Sequence, residues 1–176
     1  MPGGFLPASA LRAGDAVTLA QGGLARVIWA GSLRLPARGR FRPHVLRAPW
    51  NRLETDVVAS ADLRLRVWGS DVDYLFGESE VAVRVGQLTD QRRVLRPDPP
   101  LTMHYRQILL DRPGALIVGG AVVEPWDVEA LGGDRRLIAV TAPGGAAAAL
   151  VGAGRGPSPR TLADHEVRSL RRLQAA

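Results

Sequence analysis

The chain has 176 residues, a formal charge of +6 and no cysteine, which excludes disulfides, thiolate metal sites and cysteine nucleophiles together. Hydrophobic residues make up 46%, enough for a real core in one domain with or without a tail. No apolar run approaches the roughly 18–20 residues of a spanning helix.

The start, Met1 to Pro7, has neither a basic n-region nor a long apolar stretch, so the cytoplasm is the expected compartment, with signal-less export left open. Leu11-Arg12-Ala13-Gly14-Asp15 reads as a turn before the strand-like Ala16-Val17-Thr18-Leu19. Gln21-Gly22-Gly23 turns into a second strand region, Leu24 to Leu35, and the two predict a hairpin. A basic connection, Pro36 to Pro43, leads to short strands at His44–Arg47 and Asp56–Ala59.

Leu63 to Trp68 alternates aliphatic residues with Arg64 and Arg66, the period of a strand with one wet face. Val72–Phe76 and Glu80–Val85 predict another strand pair around Gly77, and Gly86-Gln87-Leu88 can open a helical turn. Leu101–Leu110, Ala115–Val118 and Ala121–Glu124 complete the strands.

The Gly-, Ala- and Pro-rich stretch 143–160 reads as a linker, and 161–176 as a C-terminal helix with Thr161 as N-cap, leaving 1–142 as the β domain. Leu162, Leu170 and Leu173 predict one apolar face on that helix, with Val167 at its edge and His165 exposed. Frequent short strands, with no 10–15-residue helix between them before residue 143, predict an all-β fold.

Four stretches, in order, carry a resemblance: Leu11–Val17, Val27–Gly31, Leu75–Val83 and Tyr105–Arg112. They resemble the "L-R-x-G-D-x-V", "V-x-W-I-G", "L-F-G-x-x-E-V-L-V" and "Y-x-H-L-L-F-D-R-H" segments of the bacterial Hint (hedgehog/intein) domain family, over roughly residues 8 to 131. The resemblance implies a horseshoe of short antiparallel strands with pseudo-twofold halves. It also implies an acyl shift, in which an N-terminal Cys or Ser attacks the preceding peptide carbonyl and a histidine assists at the scissile amide.

The matching positions do not hold those groups. Val58–Arg64 aligns with "L-V-S-P-x-H-R", placing Leu63 at the histidine. Gln107 stands at the histidine of "Y-x-H", Pro113 at the last histidine of "D-R-H", and Gln87 where "A-R-H-L" has one. Met1 begins after the place where the nucleophile strand would stand. Ser60 keeps the family's serine, but it and Ser9 lack an evident activating base. The expectation is therefore a degenerate Hint-like domain, without catalytic residues or self-cleavage, serving as a structural or interaction module for an unidentified protein partner. The alternatives are an autoprocessing domain whose N-terminal segment lies elsewhere, and a basic polyanion-binding module.

For that last reading the arginine-rich stretch from Arg34 to Arg47 offers Arg38, Arg40, Arg42 and Arg47. Every basic side chain other than histidine is arginine, but the arginines are interleaved with acids and aromatics make up only 5%, which argues against nucleic acid. His44, beside Arg42 and Arg47, is expected at the surface or a strand edge; with His104 and His165 it is too dispersed for a zinc site. Asp71, Asp73, Glu78 and Glu80 lack calcium-loop spacing and read as turn caps and charge partners, and Glu54 with Asp56 carries no glycosidase signature. No metal, cofactor or membrane partner is expected.

Overall fold

The computed structural model describes residues 4–98, 100–125 and 158–174. The Gly/Ala/Pro-rich stretch 143–157 and Trp126 lie outside them. Among the described residues ten strands, all paired antiparallel, form three sheets.

The first sheet has the order β1-β2-β8, with β1 at Ala16–Thr18, β2 at Leu24–Pro36 and β8 at Thr102–Leu110. Its hairpin turns where the glycines predict it, with Gly22 and Gly23 at positive φ. The ladder runs from Val27↔Leu110 to Pro36↔Thr102, with a register shift between Val27 and Trp29. After this bulge the Trp29 indole lies against Gly31, where any Cβ would collide with the ring.

The second sheet, β6-β5-β10-β9, holds β5 (Arg64–Trp68), β6 (Glu80–Arg84), β9 (Leu116–Val118) and β10 (Ala121–Glu124). The third, β4-β3-β7, holds β3 (His44–Leu46), β4 (Val57–Ala59) and β7 (Val94–Leu95).

Two α-helices lie among the described residues. Residues 70–76, expected to be partly strand, form helix α1 (Ser70–Phe76). Val72, Leu75 and Phe76 stand at i, i+3 and i+4 and all join the core, Asp71 and Asp73 occupy the positive first turn, and Gly77 ends the helix at φ 64°. A five-residue window shows a strand-like apolar run; the helical spacing emerges only with the glycines at either end.

Helix α2 (Asp164–Leu173) starts later than Thr161. Thr161 instead pairs with Ala82 as an isolated parallel bridge. The N-cap is Ala163, whose N–H donates to Glu166 Oε2 at 2.8 Å. Leu162, Val167 and Leu170 are buried, whereas Leu173 is 38% exposed, so the apolar face centres on Val167 and Leu170. His165 is exposed.

One hydrophobic cluster joins all three sheets and both helices: Val27 and Leu110, Leu65 and Val83, Leu46 and Val94, Val72, Leu162 and Leu170. Among the described residues no helix is long and apolar enough to cross a membrane.

The arginine face of β5 is not wet. Arg66 keeps 12% of its side chain exposed and Arg64 23%, because β10 presents the buried Glu124 to both, at 3.5 Å from Arg66 and 3.2 Å from Arg64. Glu80 takes a further contact from Arg66 at 3.0 Å, and the Ser158 hydroxyl donates to Glu124. A period-2 pattern shows that one face is polar; whether water or a carboxylate meets it depends on a strand about 60 residues away in sequence.

Candidate functional site

The Val57–Ala59 strand ends in a turn at Ser60–Leu63, which delivers the chain into β5. The Leu63 N–H donates to the Ser60 carbonyl at 3.3 Å, and the Leu63 carbonyl accepts from Val85 at 2.9 Å. Gly86 donates to the Ala61 carbonyl at 2.9 Å, so close that a Cβ at Gly86 would press on Ala61. Leu63 therefore lies beside the turn that follows β6, and its side chain packs on the core. No hydrogen bond among the described residues joins the Ser60 hydroxyl to a base.

Gln87 sits in that neighbouring turn. Its Oε1 accepts the Arg84 N–H at 3.1 Å and its Nε2 donates to Asp164 Oδ1, fastening the turn to the first residue of α2. Gln107 is elsewhere, on β8 opposite Gly31, and Pro113 is exposed in the turn before β9. Leu63 and Gln87 are thus brought to adjoining segments, whereas Gln107 and Pro113 belong to the other side of the chain's connectivity.

The family model for the Hint domain matches residues 1–127. The chain belongs to the Hint-domain family. No curated protein and no solved structure matches it. In this Hint domain the described segment 158–174, beyond the matched residues, contributes three side chains to the core.

The arginines singled out by the sequence divide in two. Arg42 donates to the Pro97 carbonyl at 2.7 and 3.0 Å and approaches Asp98 at 3.5 Å, and Arg47 pairs with Asp56 at 3.0 Å. Arg40 lies over the Phe41 ring at 4.8 Å. Arg38 is exposed. Two of the four thus neutralise or bridge neighbours within the domain.

His44 is buried, at 5% exposure, contrary to the expected surface position. It opens β3, whose outer residues face inward while only Val45 between them is half-exposed. Burial, joined by the charges of Arg96 and Arg42, lowers its pKa against an opposing backbone interaction with Arg42, so the imidazole is neutral at pH 7. Its Nδ1 has no hydrogen-bond partner among the described residues. His104 and His165 are exposed on other elements, and no three metal-binding side chains gather among the described residues. Of the acids, Asp71 and Asp73 belong to the first turn of α1 and Asp56 to the Arg47 pair.

A second concentration of charge is assembled only by the fold. An open cleft of about 520 Å³ lies between the loop before β7 and the C-terminal half of α2. Its cationic lining is Arg92 and Arg93 from the loop and Arg168, Arg171 and Arg172 from the helix, with Trp50 as an aromatic wall. Among the described residues Asp90 is the one acid lining it; its Oδ1 accepts backbone N–H groups of Arg92, Arg93 and Val94 at 2.9, 2.8 and 3.0 Å. Desolvation would raise the Asp90 pKa, but these three amides and the Arg93 charge together hold it below the ordinary value. The available signal was two Arg-Arg doublets, 92–93 and 171–172, with Arg168 one helical turn before the second. Nothing in the local sequence tells that the doublets meet.

Proposed function

We propose that this Hint domain performs no self-cleavage and serves as a structural or interaction module. The observation that carries the reading is Leu63. It occupies the position of the family's assisting histidine in the sequence alignment, and its partly buried side chain packs against the hydrophobic core. An isobutyl group neither donates a proton to a leaving amide nor polarises its carbonyl. Gln87, at another histidine position, has both polar ends engaged by Arg84 and Asp164. The chain contains no cysteine, and among the described residues the Ser60 hydroxyl has no hydrogen bond to a base that could activate it.

The test is a fusion of a reporter protein to the N-terminus of the full chain, incubated at neutral pH with dithiothreitol or hydroxylamine and read by intact mass. The expected result is a single species at the mass of the uncut fusion, also in the Leu63→His variant, because one imidazole does not supply the nucleophile. Release of the reporter from the unmodified chain overturns the reading.

A further inference from the structure

We infer that the cleft between the 90–94 loop and α2 binds the phosphate groups of a small, multiply charged ligand. Arg168, Arg171 and Arg172 stand at i, i+3 and i+4, so three like charges share one helical face at a cost to the helix. The C-terminal dipole of α2 accounts for a cation in the last turn, but not for Arg92 and Arg93 converging on it from another element.

The one local carboxylate compensates five arginines only in part. Asp90 directs Oδ1 to three backbone amides and acts as a brace of the loop. The cationic groups that are held are held by neutral acceptors, which orient a guanidinium without cancelling its charge. Arg93 donates to Gln174 Oε1 at 3.1 Å and to the Gln174 carbonyl at 2.9 Å, and Arg171 donates to the Gln87 carbonyl at 3.4 Å. The Arg171 Nε is buried and has no hydrogen-bond partner among the described residues. Arg92, Arg168 and Arg172 make no side-chain hydrogen bond or ion pair among the described residues.

Preoriented guanidinium forks around a concave space match tetrahedral oxyanions, which accept paired N–H donors. The volume is that of a small-molecule site rather than an extended track, and the Trp50 ring gives a flat apolar wall on which a base can stack. The occupant therefore carries several phosphates, either bare or on a nucleoside. The binding is independent of whether the domain self-cleaves.

Calorimetric titration of the full chain at low salt with inorganic triphosphate and with ATP tests this. Saturable binding of at least one is expected, weakened roughly tenfold or more in the double variant Arg168→Gln/Arg172→Gln, since a charged hydrogen bond is worth about one decade of affinity. Both positions are exposed, and Arg92→Gln, on the opposite wall, supplies a loss that does not depend on the helix. The double variant Arg38→Gln/Arg40→Gln removes equal charge outside the cleft and is expected to leave the affinity unchanged. Tighter binding of ATP than of triphosphate identifies a nucleoside phosphate; equal binding identifies recognition of phosphate alone, and both support the site. Absence of binding by either anion, equal weakening in the two double variants, or retention of a single-stranded oligonucleotide with neither small anion bound overturns it.

Discussion

The same side chain is used in opposite ways at two places in this molecule. Beside β10, Arg64 and Arg66 converge on Glu124, which is only 7% exposed, and Glu80 takes a further share of the Arg66 charge. Along α2 and the 90–94 loop, five arginines meet one aspartate whose receiving oxygen is engaged by backbone. In the first place arginine closes a polar seam between strands; in the second its charge is left for something outside the domain. Arginine content alone says nothing about binding. What decides is whether the fold brings a carboxylate within reach.

The contrast can be broken from its structural side first. Glu124→Ala removes the buried carboxylate shared by Arg64 and Arg66, and a loss of about 3–5 kcal/mol is expected in urea denaturation. A loss as small as that of a surface change would mean that the seam is solvated and that the two regions do not differ. Leu170→Ala, at a fully buried position of α2, is expected to cost about 2–5 kcal/mol. This sharpens the comparison, because it shows that the helix bearing the free arginines is anchored in the core and presents them rigidly.

A smaller, pH-dependent effect belongs to His44. Its folded pKa lies below the unfolded value of 6.5, so the unfolded chain binds the proton more readily. Stability is then complete above about pH 6.5 and declines as the pH falls towards the depressed folded value. Thermal denaturation from neutrality towards about pH 5 should show this decline, and His44→Gln should flatten it. A wild-type midpoint that holds steady over that range refutes a buried neutral imidazole. The smallest effect is expected in the cleft itself: Arg168→Gln/Arg172→Gln should change unfolding free energy by no more than about 0.5 kcal/mol. A large destabilisation there would make these arginines part of the scaffold after all.

Legibility followed the range of the interactions. The β1–β2 hairpin was readable because Gly22-Gly23 sits between two alternating runs, and turn chemistry is local. Helix α1 is not legible in the sequence because five apolar-rich residues fit either period, and only the flanking glycines and the packing of Val72 decide. Strand β7, two residues long, carries no pattern of its own and exists because β3 offers Val45 and Leu46 as partners. The basic neighbours of His44 predict an outer position, yet its register in β3 turns it inward. Leu63, Gln87 and Gln107 were legible as substitutions at family positions; that Gln87 ties its turn to α2 was not.

By itself the sequence determined the strand-rich class, the turns, the Hint-family motifs and the residues standing in place of the family's histidines, since composition, period and motif order are properties of the chain read in line. Only the tertiary structure decided which arginines are neutralised and which are not. Pairing across the 60 or so residues from Arg64 to Glu124, and convergence across the 80 or so from Arg92 to Arg172, are set by how sheets and helix pack on a shared core, and charge is screened or left open by that geometry alone.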